Sequence, residues 1–210
     1  MDSERASTKQ RLLEVAEELF AERGVDATLV GDIVQGAGQR NPSALRYHFG
    51  SREGVLEAIL AKHLDAVEQR RAELLARWPE PGPASARDAV VLITTPLLEL
   101  LDTQSGRRYL RILAQSVHRF DQSQLDALAA SYPTMAFAVR LMGTTIADLP
   151  DPVIEERVRS VLQLTITMLS VRALNLADPT RQSLNAETFE RNLVAMATAA
   201  LITPIEAPLP

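Results

Sequence analysis

At 210 residues with 46% apolar content, the chain is long enough to bury a core of its own, and with no Cys it forms neither disulfides nor thiolate metal sites. A net charge of −5 excludes a protein that coats nucleic acid indiscriminately, so the placement of its basic residues says more than their number. Aromatic residues make up only 4%, and no alternating β-branched run is bounded by hairpin turns, so the expected fold class is all-α.

The chain starts with Met1-Asp2-Ser3-Glu4-Arg5, which lacks the charged and apolar regions of a signal peptide. No uninterrupted apolar run approaches the roughly 18 residues of a membrane span, so the reading is of a soluble, cytoplasmic protein with no membrane partner. A first helix is expected from Ser7, whose hydroxyl caps it while Gln10 reaches back; Leu12, Ala16, Leu19 and Phe20 share one face and Gly24 is the stop. A second opens after Thr28 as cap and turns Leu29, Ile33, Val34 and Ala37 inward before Gly36 and Gly38 loosen the backbone. A third has Asn41 as cap and Pro42 at its first position, turns Leu45 and Phe49 inward, and ends near Gly50. Ser51 caps a fourth, running to about Arg77, with Glu53 complementing its positive end.

The stretch from Pro79 to Ala84 reads as a helix connection inside a domain. Helices are then expected at about 85–102, 106–120, 124–148, 152–177 and 185–201. Gly106, the run Leu149-Pro150-Asp151-Pro152 and Asp178-Pro179 mark turns, and Tyr132-Pro133 splits or kinks the third stretch. Pro204 to Pro210 reads as a tail.

Between Asp32 and Glu53 there is no acidic residue, yet Arg40, Arg46, His48 and Arg52 lie there. Such a window suits DNA, because binding rests on replacing condensed counterions with cationic side chains, and nearby carboxylates would repel phosphate. Three short helices with an Ala-Gly turn before the last are the geometry of a helix-turn-helix. With Leu45 and Phe49 inward, Ser43, Arg46 and Tyr47 fall on other faces of the last helix, and Arg40 and Asn41 at its N-terminal edge. Arg46 suits a bidentate contact to guanine, Asn41 or Gln39 a pairing with adenine, and Tyr47 and His48 contacts to phosphate. Arg52 and the free N–H groups after Ser51 form a second phosphate clamp, and Thr28 completes the set of expected DNA contacts.

Residues from about Thr8 to Leu60 resemble the DNA-binding domain of the tetracycline-repressor (TetR) family of bacterial regulators. The resemblance rests on Gly24, Asp32-Ile33-Val34, Ala37-Gly38, Leu45 and Tyr47-His48-Phe49-Gly50-Ser51-Arg52-Glu53 in order. The chain departs from the commonest family form in having one residue more between Gly38 and Leu45, and in having Arg46 where an aromatic is frequent. The resemblance implies a repressor that binds a palindromic double-stranded operator, dimerises through its last two long helices, and responds to a small-molecule effector. The expected division is a helix-turn-helix DNA-binding domain over 1–50, a larger helical ligand-binding and dimerisation domain over 51–203, and a tail over 204–210.

The residues of the last two long helices agree with a bundle. Val158, Val161, Leu162, Ile166, Leu169 and Leu174 make the first apolar around most of its circumference, and Phe189, Leu193, Val194, Ala197 and Leu201 give the last a broad apolar face. Burial in a monomer core is the other reading. Candidates to line an effector pocket are Trp78, Tyr109, His118, Tyr132, Met135, Phe137, Met142, Met168 and Asn175, a mix of apolar walls and a few polar groups. No catalytic residues, metal ligands or cofactors are expected: the His are only three, and no Gly-x-Ser-x-Gly, phosphate-cradling glycine loop or His-Glu-x-x-His occurs. The alternative function is a helical binding or scaffold protein that does not read DNA sequence.

Overall fold

The computed structural model describes residues 2–41, 43–80, 82–117, 122–178, 180–181 and 184–205. The all-α expectation holds: every regular element among the described residues is helical. The chain opens with α1 (Asp2–Arg23), α2 (Val30–Gly36), α3 (Ser43–Phe49) and α4 (Arg52–Ala76). After the Pro79–Ala84 connection come α5 (Ala86–Leu98), a 3-10 turn (Glu99–Asp102), α6 (Gln104–Ser116), α7 (Gln122–Ser131), α8 (Pro133–Thr144), α9 (Asp151–Leu176) and α10 (Ala186–Ile202).

Several helix starts follow the expected chemistry. The Ser51 hydroxyl accepts from the Gly54 N–H, and the Asn185 side chain accepts from Thr188 N–H. Ser85 and Asp88 form a reciprocal capping box at α5. Gly24 ends α1 at φ +96, a conformation that other residues resist.

Other expectations need correction. Helix α1 begins at Asp2 rather than Ser7, since nothing in the first residues breaks a helix. Thr28 does not cap α2: Leu29 holds that place, and the Thr28 hydroxyl turns back to donate to the Gly24 carbonyl at 2.8 Å. Gly106 is no turn but lies in the first turn of α6, whose cap is Thr103; a Cβ there would collide with the Leu100 carbonyl oxygen. The stretch 124–148 is two helices, parted at Tyr132-Pro133 because proline opens α8 without needing an N–H donor.

Proline also explains a buried charge. Pro96 sits inside α5 and has no N–H to offer the carbonyl of Leu92, one turn earlier. Arg71 of α4 supplies the donor instead, with Nε 2.9 Å from that oxygen, and its Nη1 pairs with Glu68 at 3.0 Å. Glu68 in turn accepts from the Thr134 and Met135 N–H groups at the start of α8. One buried chain of polar groups thus ties α4, α5 and α8 together.

A second polar cluster fastens α1 to the later helices. Glu17 of α1 is 3% exposed, with His63 Nε2 and Lys62 Nζ of α4 at 3.3 and 3.2 Å, and Ser105 of α6 donating to it at 2.5 Å. Burial pushes the Glu17 carboxyl up, but the hydrogen bonds from His63 and Ser105 and the charge of Lys62 outweigh it and hold it at about 2. Nearby, Arg108 of α6 pairs with Glu18 at 2.8 Å, and Gln115 of α6 accepts from the Val25 N–H at 3.2 Å. The first helix, and what packs on it, is therefore carried on α4 and α6.

Candidate nucleic-acid interface

Helix α3 has seven residues, too few to persist alone. Its place is set by Leu45, 1% exposed, which enters a core with Leu12, Ala16 and Phe20 of α1, Ile33 and Val34 of α2, and Val55 and Ile59 of α4. Between α2 and α3 the backbone turns at Gly38, where φ is +69 and the Gly38 and Gln39 N–H groups close back on Gln35 and Val34. At the far end Gly50, at φ +75, turns the chain into the Ser51 cap of α4.

That frame decides which side chains face outward. Arg40, Asn41, Ser43 and Arg46 are exposed, Gln39 and His48 half-buried, and Tyr47 is 72% exposed. Tyr47 stands edge-on to His48, with ring centroids 5.0 Å apart. Among the described residues no carboxylate lies within ion-pair range of Arg40 or Arg46, so both guanidinium groups project unpaired. Pro42 falls outside the described residues.

Three expected contacts look different in place. Thr28 is fully buried, with its hydroxyl spent on Gly24. The Asn41 side-chain oxygen accepts from Ser43 N–H at 2.9 Å, as expected of a cap, which leaves the Asn41 amide hydrogens for an external partner. Arg52 is partly covered and already engaged, with Nη1 donating to the Asp26 carbonyl at 3.2 Å and Nη2 3.1 Å from Glu53. The Glu53 carboxyl is held below the usual range by its own backbone N–H and the Ser51 hydroxyl, so the positive end of α4 carries a local anion.

A cleft of about 510 Å³ runs beside α3, from Val30 at the start of α2 past Asn41, Ser43 and Arg46 to Ser51 and Arg52. The sequence reading missed Lys9, whose Nζ lies 5.8 Å from the centre of the Phe49 ring and extends the basic surface onto α1. Its position four residues before Leu13 on a helix adjoining the motif was the available signal.

The effector-pocket candidates scatter. Tyr109 is fully buried, stacked on His63 with centroids 4.5 Å apart, and its hydroxyl has no partner. Burial pushes that phenol well up. The Tyr132 hydroxyl donates to Asp65 at 3.2 Å and the Met135 N–H to Glu68, so these two and Tyr109 each contact α4, at different residues. Met142 is buried, Trp78 and Met168 are half-buried, Phe137 is at the surface, and Asn175 accepts from Arg181 at 3.0 Å beyond the end of α9. His118 falls outside the described residues. A further cleft of about 560 Å³ lies between the first turn of α5 and the first half of α10, lined by Arg87, Thr188, Arg191, Asn192 and Ala195.

Helices α1 to α3 thus form a helix-turn-helix unit mounted on a larger helical body, the architecture of bacterial transcription regulators. Residues 12–59 match the family described as bacterial regulatory proteins, tetR family. The HTH-type transcriptional repressor KstR2 of Rhodococcus jostii (strain RHA1) is 39% identical over 93 residues, which are 44% of this chain and 43% of that protein. KstR2 of Mycolicibacterium smegmatis is 40% identical over 79 residues, 38% of each chain. The chain thus spans about two fifths of the length of the curated relatives it matches. In fold it is similar throughout to a TetR family transcription regulator from Marinobacter aquaeolei VT8, at TM-score 0.61 and 18% identity, covering 95% of this chain and 98% of that one. The TetR family regulator PfmR of Thermus thermophilus aligns at TM-score 0.55 and 22% identity, covering 91% and 97%. No helix among the described residues is long and apolar enough to cross a membrane.

Proposed function

We propose that the chain is a sequence-specific DNA-binding transcriptional repressor that acts in the cytoplasm as a homodimer on a palindromic operator and is released by a small-molecule effector. The observation that carries this reading is α3: a short helix anchored by one buried leucine, with Arg40, Arg46 and Tyr47 outward and no carboxylate paired with either arginine among the described residues. A helix presented in that way fits the major groove, with Arg46 on a base edge, Gln39, Arg40, Asn41 and Ser43 at the groove entrance, and Tyr47, His48 and Arg52 on phosphates. Residues 1–50 make up the reading unit in this proposal, 51–203 the effector and dimer unit, and 204–210 the tail.

One short helix reads few base pairs, and two related by a two-fold axis read half-sites about 35 Å apart. Support for assembly comes from the last two helices, where Val171, Leu174, Met196 and Ile202 are 48, 37, 42 and 52% exposed in the single chain. Leu169, by contrast, is fully buried within the chain, so a charge there would break the fold rather than test assembly.

Two experiments test the reading. Selection of bound sequences from a random duplex pool at physiological salt is expected to return a palindrome with half-sites one helical turn apart; an unenriched pool would leave a scaffold function. Leu174→Arg, at an exposed position, is expected to turn the dimer into a folded monomer on sizing and to cost at least about a hundredfold in operator affinity. A dimer that survives the change would place assembly on another face.

A further inference from the structure

Ser105, Arg108 and Gln115 recur along one face of α6, and each has a polar partner on α1 or in the turn that follows it. Ser105 donates to Glu17 at 2.5 Å, and Arg108 pairs with Glu18 at 2.8 Å. Gln115 reaches past the end of α1: its Oε1 accepts from the Val25 N–H at 3.2 Å, while its Nε2 lies 3.5 Å from the Phe20 carbonyl and 3.1 Å from that of Arg111 in its own helix. The same Oε1 lies against Gly24, where a Cβ would stand 3.4 Å away. Helix α6 also packs along α9, one of the two helices through which assembly is proposed, so it bridges that helix and the first helix of the reading unit. The other bridge is α4, which puts Val55 and Ile59 into the core around α3 and Arg71 into the later helices. A single shared helix can bend or twist between its two ends. The α6 stripe is a second attachment, and two attachments fix an angle.

We infer that the α6 stripe, with Gln115 as its principal latch, sets the angle of the reading unit and thereby the half-site spacing that the dimer accepts. This inference rests on the proposal that two copies read a palindrome, and it names residues that determine the spacing of that palindrome. Successive base pairs turn by about 35° and rise by about 3.4 Å, so one added pair carries the second half-site around the duplex, away from a rigidly held unit. A rigid frame therefore rejects a wrong spacing, whereas a loosened one tolerates it and loses some affinity to ordering on binding. Gln115 is suited to the latch because its amide offers an acceptor and a donor to main-chain groups on both sides of the Gly24 turn, and salt does not screen a neutral contact. The Arg108–Glu18 pair, with Glu18 exposed, adds direction more than strength. None of the three residues lies on α2, α3 or the start of α4, so their influence on DNA acts through placement and not through contact.

The test takes the palindrome that the wild-type full chain selects and measures affinity for it, for versions with the spacer lengthened or shortened by one base pair, and for a single half-site. Wild type is expected to bind the altered spacings at least about tenfold more weakly than the selected one. Gln115→Ala is expected to reduce that penalty to about threefold or less, while binding the single half-site within about twofold of wild type. Arg108→Glu, which sets a carboxylate against Glu18, is expected to act in the same direction, and adding Glu18→Arg to restore the penalty. A penalty unchanged in both Gln115→Ala and Arg108→Glu would overturn the inference and leave the palindrome reading standing. So would equal losses on half-site and palindrome in both variants, which would mean that the stripe only supports the folding of the reading unit. A wild type indifferent to spacing would overturn it as well. A wild type that selects no palindrome would remove the proposed function, and this inference with it.

Discussion

Helix α3, of seven residues, and helix α9, of twenty-six, handle charge in opposite ways. In α3 the one fully buried side chain is apolar and the charges point outward, so its chemistry and its stability reside in different residues. In α9 a charge, Arg172, lies in the inward stripe while Val171 and Leu174 face out. A short helix held by its neighbours is free to vary its surface; a long one that builds the core carries even a charge within its packing. The junction between the two regions, at Glu17, is of the second kind.

The contrast is broken most directly at Leu45. Leu45→Ala removes the only fully buried residue of α3 and is expected to cost about 2 to 5 kcal/mol in chemical denaturation. A loss below half a kcal/mol would mean that α3 is held by something other than its leucine.

Glu17→Gln tests the junction, where the folded-state carboxyl is held at about 2 against an ordinary 4.5. A depressed carboxyl stabilises the fold above its unfolded value, and that contribution disappears as pH falls from about 4.5 through about 2. Wild type is therefore expected to lose on the order of 3 kcal/mol across that window from this group. The variant should start less stable at pH 7 and show a flatter acid limb; parallel pH profiles would remove Glu17 from the account.

Arg46→Ala belongs to the surface kind. It is expected to leave melting unchanged within about half a kcal/mol and to relax preference at one position in each half-site by about 1 to 3 kcal/mol. Equal weakening on every sequence would move Arg46 from base to phosphate. The smallest effect is expected from Arg52→Ala, since Asp26 and Glu53 already engage that guanidinium. Its loss should weaken binding uniformly and reduce the slope of log affinity against log salt by less than about 1. A full unit would mean that Arg52 leaves its acidic neighbours on DNA.

Much of the reading unit was legible in the sequence because its signals are local. Gly24, the Ala37-Gly38 turn, Leu45 and the Ser51 cap are each recognisable from one residue and its neighbours. Errors arose where a local rule had a competitor: Thr28 had the chemistry of a cap but found the Gly24 carbonyl, and Gly106 had the look of a turn but was needed for close approach to Leu100. The pocket candidates were chosen by residue type, and type alone did not separate buried Tyr109 and Met142 from surface Phe137.

By itself the sequence determined the helical class, most helix ends and the basic, acid-free window, because periodicity, capping and the order of charges act over a turn or two of chain. Tertiary structure alone decided that Arg71 answers the carbonyl freed by Pro96, that Glu17 meets His63 and Ser105, and that Arg172 is buried against Phe189 without a counter-charge. Those pairings join residues from 17 to 88 positions apart, and whether a charge finds its partner at that distance depends on how helices pack.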